Sequence, residues 1–231
     1  MAELWFAAAI WLVTHLGISS TPLRGVLVNT IGQGAYLGLY SLVAAGSLGY
    51  LIWVYTSVPS FDYLWQPNPD LYWAAKITMP VAFILLVGGF MVRNPTNVGM
   101  SISDTPEAIE QAREMAKGVT RITRHPLQWA IVIWGVGHVI ANGDWVSVIF
   151  FSTLALLGLI GGYLIDRKKA IAFGAGWDAY AAVTSNLPFA AIVSGRNRLV
   201  AKELALPVLV GALVYGLVFY FHEAITGAII I

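Results

Sequence analysis

The stretch WVSVIFFSTLALLGLIGGYLI, residues 145–165, decides the fold, because it is long, apolar and free of charged side chains. An α-helix needs about 20 apolar residues to cross the hydrocarbon core of a bilayer. The whole chain is 58% hydrophobic and 11% charged, with a mean hydropathy of +0.74. A soluble domain cannot bury that much apolar surface, so the sequence predicts an integral membrane protein.

Five further apolar runs have the same character and are separated by polar segments. They cover residues 4–18, 36–55, 71–92, 127–141 and 204–221. We therefore predict an all-α fold, a polytopic integral membrane helical bundle of about six transmembrane helices. No linker separates domains, so residues 1–231 are expected to form a single transmembrane domain.

Lysine and arginine are concentrated in three connections, which follow the first, third and fifth runs. Because basic residues are retained on the cytoplasmic side, these connections are expected inside and both termini outside. The first run has no basic segment before it, so we expect no cleaved signal peptide. We predict a multi-pass protein of a bacterial inner membrane.

One or two amphipathic surface helices are expected besides the crossings. Over residues 104–124, Asp104 can cap a helix, Pro106 suits its first turn, and apolar residues recur at helical spacing. This segment is either a helix on the inner membrane surface or a solvated linker. Residues 25–34 are a second, less clear candidate.

Several function classes are excluded by composition and motif. The chain has no cysteine, so neither disulfides nor thiolate chemistry contribute. A net charge of +1 gives no basis for binding nucleic acid. It contains no catalytic serine motif, no phosphate-cradling glycine loop and no HExxH.

The four histidines are the side chains suited to metal binding or to acid–base chemistry near neutral pH. His15 and His138 lie on crossings that run in opposite directions, and counting about 1.5 Å per residue places both near the membrane midplane. They are either hydrogen-bonded packing residues or joint ligands of one metal, since neutral imidazole is a good iron ligand. His125 and His222 mark the inner and outer boundaries instead.

The neighbours of His138 fit a flat cofactor, because Gly135 and Gly137 lack side chains and Trp134 lies one turn earlier on the same face. Close packing between helices explains the same residues. At the inner edge, Arg124 and His125 follow Arg121, and this cluster is either a binding site for propionates or phosphates or a consequence of the positive-inside rule.

Two segments carry a resemblance to a known family. RHPLQWAIVIWGVGHVIANGD, residues 124–144, and TSNLPFAAIVSGR, residues 184–196, the latter preceded by Asp166 and Arg167, are similar to motifs of the NnrU family of bacterial membrane proteins. That family also includes the enzymes that isomerise 15-cis-zeta-carotene. The first crossing with His15 and the last with His222 extend the resemblance over nearly the whole chain.

The resemblance implies a membrane protein that binds haem b, with His15 and His138 as iron ligands and catalytic residues. Arg124, His125 and Trp134 are expected to line the cofactor site. In the isomerase branch, haem iron is thought to lower the order of a cis double bond so that it rotates, in a redox-dependent way and without net oxidation. The implied partners are membrane lipid, a lipophilic polyene such as a poly-cis carotene, and a redox protein.

Other functions stay open. The bacterial members of the family are associated with nitric oxide and denitrification, and a haem-handling factor without enzymatic activity is also compatible. A third reading is a membrane methyltransferase that uses S-adenosylmethionine, because residues 173–180, FGAGWDAY, and the later LPF are similar to enzymes of the isoprenylcysteine type. Those enzymes show an acidic pair before FG, where this chain has Lys168 and Lys169 after a lone Asp166.

Overall fold

The computed structural model describes residues 1–59, 62–103 and 105–227, and all regular elements in these ranges are helices. The α-helices are α1 (Ala2–Leu12), α2 (Pro22–Ile31), α3 (Gln33–Ser57), α4 (Pro69–Met91), α5 (Pro106–Glu114), α6 (Pro126–Asn142), α7 (Trp145–Val183), α8 (Ala190–Val193), α9 (Ala201–Tyr220) and α10 (His222–Thr226). A π-helix (Val13–Ile18) continues α1, and a 3₁₀ turn (Gly118–Arg121) precedes α6. The predicted all-α fold is confirmed.

Four helices, α3, α4, α7 and α9, are long and apolar enough to cross a bilayer. A fifth crossing is present if the helical segment Ala2–Ile18 and the helix Pro22–Ile31, which are bent by 72° from each other, count as one span. The predicted six are thus four to five by length and composition. α6 has 17 residues, about 25 Å at 1.5 Å per residue, which is shorter than a ~30 Å hydrocarbon core.

By its contacts the described chain divides into two compact units, each described separately below. The first consists of Met1–Ala74 and Gly135–Leu157, and the second of Ala75–Trp134 and Gly158–Ile231. The single domain expected over residues 1–231 remains a prediction.

In the first unit, α1 packs along α3, and the turn between α6 and α7 is held by the segment after α3. Gly143, at φ +72°, accepts a 2.8 Å hydrogen bond from the backbone N–H of Leu64. A Cβ at this glycine would collide with the carbonyl oxygen of Trp65, so only glycine fits. The Trp65 indole donates to the carbonyl of Ile140 at 3.0 Å, which fixes the end of α6.

The second unit contains the amphipathic segment, and its helix is shorter than predicted. α5 ends at Glu114, and its cap is Thr105, whose hydroxyl accepts the N–H of Ala108 at 3.3 Å. Asp104, the predicted cap, lies outside the described residues. The apolar face of α5 is covered by the protein itself, because Ala112 packs in a buried cluster on the C-terminal half of α7.

The second candidate segment, residues 25–34, is helical but divided: it covers the end of α2, which begins after Thr21, and the start of α3, with a break at Gly32. The Thr21 hydroxyl accepts the N–H of Leu23, and Pro22 occupies the first helical position, where a missing N–H costs nothing.

Candidate functional site

His15 lies in the π-helical stretch that continues α1. A π-helix bonds each N–H five residues back instead of four, and such turns occur often at functional sites. The changed ladder leaves carbonyls that side chains satisfy: the hydroxyls of Ser19 and Thr21 donate to the carbonyls of His15 and Gly17. The sequence predicts a helix at His15 but not this irregularity.

One nitrogen of the His15 ring is hydrogen-bonded to the backbone. Nδ1 lies 2.8 Å from the carbonyl oxygen of Trp11. Since a carbonyl only accepts, Nδ1 carries the proton and Nε2 keeps its lone pair. Metal-ligating histidines usually have this arrangement, in which a backbone carbonyl fixes the tautomer and orients the ring.

Aromatic rings surround His15. The Trp11 ring lies 3.6 Å from the imidazole, centroid to centroid, and the Tyr40 ring of α3 lies edge-on at 5.9 Å. Tyr36 stacks on Tyr40 at 5.9 Å, and the Arg24 guanidinium lies 5.4 Å from the Tyr36 centroid. We call these five side chains the His15 cluster. Within the described part of the chain, the buried Trp11 indole N–H has no hydrogen-bond partner.

His138 is half-buried on α6 and belongs to a second group of rings. Its imidazole stacks on Phe151 of α7 at 4.7 Å, and Phe151 meets Tyr55 of α3 edge-on at 5.8 Å. The carbonyl of His138 accepts the side-chain amide of Asn142 at 2.8 Å. This environment is apolar and aromatic, as a flat conjugated ligand requires.

The space beside Gly135 is filled by α7. A Cβ there would lie 2.7 Å from the carbonyl oxygen of Phe151 and 3.0 Å from the Cβ of Ala155. Of the two explanations for this glycine, close helix packing is the one that the contacts support. Trp134, also expected at the cofactor, is half-buried on α6.

The two histidines contact different parts of α3. His15 meets Tyr40, whereas His138 reaches α3 through Phe151 and Tyr55. These tyrosines are fifteen positions apart, about 22 Å along the helix axis at 1.5 Å per residue. A test of joint ligation must therefore measure how many histidines bind each iron.

The other predicted residues lie in the second unit and converge on a carboxylate. Arg124 forms a bidentate ion pair with Asp166, at 2.9 Å from Nε and 2.8 Å from Nη2. His125, which is 0% exposed, places Nε2 2.6 Å from the same carboxylate. In the described chain the anion held by Arg124 and His125 is thus Asp166. Their predicted role toward a cofactor remains a prediction.

The two motif segments interlock at this point. The backbone N–H of Arg124 donates to the carbonyl of Ser185 at 2.9 Å, and the Thr123 hydroxyl and Trp129 indole both donate to the carbonyl of Asn186. Asp166 joins these two segments, which was not predicted from the sequence. The feature of the sequence that distinguishes Asp166 is that it is a single acidic residue directly before the basic run at residues 167–169.

Arg121 is separated from this group and pairs with Glu203 at 2.7 Å. His222 is half-buried at the start of α10, with the Thr226 hydroxyl 3.2 Å from its Nδ1. Among residues 1–59, 62–103 and 105–227, no three histidine, aspartate or glutamate side chains group as a metal site. Axial haem ligation requires only two.

Comparison with known proteins agrees with the motifs. The family model described as NnrU protein matches residues 3–229. The chloroplastic 15-cis-zeta-carotene isomerase of Arabidopsis thaliana is 26% identical over 192 residues, covering 81% of this chain and 49% of the relative. That of Zea mays is 37% identical over 82 residues, covering 36% and 22%. The chain thus spans half or less of these relatives, and no solved structure matches it.

Proposed function

Because the chain belongs to the NnrU family, we propose that it is a haem b membrane protein that isomerises a cis double bond of a lipophilic polyene. The names of the two relatives support the reaction and a poly-cis carotene as the substrate class. The observation that carries the proposal is His15, whose Nδ1 bond to the Trp11 carbonyl leaves Nε2 available to iron.

His15 and His138 are the proposed iron ligands. Because the tyrosines that they contact lie about 22 Å apart along α3, joint ligation of one haem requires α1 or α6 to shift along α3, and two separate haem sites are the other arrangement. Both side chains are imidazoles in aromatic surroundings, so a neutral donor set meets the iron and the membrane buries no uncompensated ligand charge. Haem, when bound, would supply an iron centre able to weaken a cis double bond so that it rotates. The Trp11 carbonyl holds the proton of His15 on Nδ1, and Phe151 holds the plane of the His138 ring.

The membrane supplies the proposed route for the substrate. A polyene is soluble in the hydrocarbon core, so it would reach the histidines sideways from lipid, and a redox partner would set the working state of the iron.

We propose that the basic connections face the cytoplasm of a bacterium and that both termini lie outside. Nitric oxide is the alternative ligand if the chain is not an isomerase.

The cofactor is tested by absorption spectroscopy of the protein purified in detergent. We expect a low-spin haem spectrum at one haem per chain, which His15→Ala and His138→Ala each convert to a high-spin or haem-free form. His222→Ala is the matched control and should leave the spectrum unchanged. If both His15→Ala and His138→Ala keep the low-spin spectrum, the assignment is wrong. If the unaltered chain binds two haems, and each variant changes the spectrum of only one of them, the two histidines belong to separate haem sites.

The reaction is tested separately with a poly-cis carotene in liposomes containing the reduced or oxidised protein. Chromatography should show the cis isomer converted to its trans-rotated product only with haem-loaded protein. A haem-loaded protein that converts none in either redox state would favour the nitric-oxide-linked or haem-handling function instead.

A further inference from the structure

A cavity of about 410 Å³ in the second unit is lined by basic side chains from two distant parts of the sequence. Arg113, Lys117 and Arg121 come from the connection before α6, and Arg196 comes from the connection before α9. Glu114 is the acidic residue in its wall. We call this space the basic cavity. It does not include His15 or His138.

Arg121 is held in place at the cavity wall. Its Nε and Nη2 donate to the two carboxylate oxygens of Glu203 at 2.7 and 2.9 Å, and its Nη1 donates to the side chain of Asn197 at 2.8 Å. These bonds use three of the five N–H donors of a guanidinium and leave two. The hydrogen bond to Glu203 raises the pKa of Arg121, so its charge persists.

Arg196 is fixed by a different set of partners. Its Nη1 donates to the carbonyls of Ala181, Ala182 and Thr184 at 2.9–3.3 Å, and its Nε donates to the Ser194 hydroxyl. These carbonyls lie around the C-terminal end of α7, where a cation is favoured. Among the described residues, Nη2 of Arg196 has no hydrogen-bond partner and keeps its donors.

The charges at the cavity do not cancel. Four cations line it, and Glu114 together with Glu203 supplies two negative charges, which leaves a balance of +2. The positive-inside rule explains why basic residues are concentrated in the connections on one side of the membrane. That rule depends on the number of basic residues and does not determine where each side chain lies. It does not account for two immobilised guanidiniums from separate connections around one cavity.

We propose that the basic cavity is a binding site for a phosphate group. Guanidinium forks match the oxygens of phosphate, and basic pockets beside transmembrane helices are recognised places for anionic headgroups. The exposed side chains of Arg113 and Lys117 supply mobile charge, while Arg121 and Arg196 supply fixed donors. The phosphate belongs either to an anionic phospholipid or to a small soluble anion, and the experiment separates these two sources.

The test uses the full chain, purified in detergent, with two probes. Native mass spectrometry measures retention of added dioleoylphosphatidylglycerol, and calorimetry measures binding of inorganic phosphate. The variant R113Q/K117Q removes two exposed cations of the cavity without touching the fixed bonds. R93Q/R167Q is the matched control, because it removes two exposed cations that do not line the cavity.

We expect R113Q/K117Q to weaken binding about twenty-five-fold, since each basic side chain near an anionic headgroup contributes roughly fivefold, and the control to leave it unchanged. If R113Q/K117Q weakens only the binding of phosphatidylglycerol, the phosphate belongs to a lipid headgroup. If R113Q/K117Q weakens the binding of inorganic phosphate, the phosphate belongs to a soluble anion. Equal weakening in both double variants, or no binding of either probe to the unaltered chain, overturns the proposal.

Discussion

His125 shows how a boundary histidine can be structural. It is fully buried, its Nε2 meets Asp166, and Arg124 holds the other side of the same carboxylate. Removing one member of a buried hydrogen-bonded charge group leaves the others partly unsatisfied. The contacts of His125 therefore support a role in stabilising the second unit, whether or not a ligand binds.

We predict that His125→Ala lowers the free energy of unfolding by about 3 kcal/mol, because Asp166 loses a buried partner. Denaturant unfolding in detergent measures this loss. If His15 and His138 are the haem ligands, the low-spin spectrum should persist in the molecules that remain folded.

His222→Ala provides the comparison for stability as well. That residue lies in the five-residue helix α10 near the C-terminus, so its loss should change the unfolding free energy by about 0.5 kcal/mol or less. Equal destabilisation by the two changes would contradict a structural role specific to His125.

At this scale the sequence predicted which residues matter but not what they contact. The histidines and Arg124 stood out by residue type and place. Asp166 lies 41 positions from His125, and nothing in their spacing shows that they meet. The partner of a side chain depends on tertiary packing, which local pattern does not encode.

Helix α7 illustrates what hydropathy reports and what it omits. The apolar run is predicted over residues 145–165, yet the helix continues to a kink at Gly174, where φ is +47°, and a second helical segment then extends to Val183. Asp166 and the lysines after it mark the end of the apolar run, not of the helix, because a helix needs no apolar residues to continue. Hydropathy therefore predicted the crossing and underestimated the element.

Helices α6 and α7 approach closely at Gly158. A Cβ there would lie 2.9 Å from the carbonyl oxygen of Gln128 and 3.0 Å from a methyl group of Val132. We predict that Gly158→Ala destabilises the protein by roughly 1–3 kcal/mol, since the helices must separate. A thermal melt in one fixed detergent measures the change.

Gly161, three residues further along α7, has open space where its Cβ would be. Gly161→Ala should be neutral or stabilise by roughly 0.5–1 kcal/mol, because alanine favours the helix. A Gly158→Ala protein as stable as this control would show that the helices do not pack in the way described.

For the whole molecule, the predicted orientation is open to a direct test. The natural chain has no cysteine, so single cysteines report without background. Cysteines at Asp62 and Arg198, both exposed, should react with a membrane-impermeant maleimide from opposite faces, Asp62 from outside. Labelling of both from the same face would reject the proposed topology.

At this largest scale the sequence predicted the all-helical membrane fold, because apolar length alone identifies crossings. By length and composition, four to five of the described helices can cross a bilayer; the short α6 and the bend after residue 18 account for the difference from the expected number of about six. The bend follows from local chemistry: Thr21 and Pro22 start a new helix, and the hydropathy of the first run does not reveal the change of direction.

The π-helical stretch at Val13–Ile18 affects how this chain is compared with its relatives. Each π turn closes its hydrogen-bonded ring over one more residue than an α turn does. A relative with one residue fewer here can present the same faces before and after the stretch if its helix is α throughout. In a relative that is one residue shorter in this region, the deletion is therefore best placed inside residues 13–18.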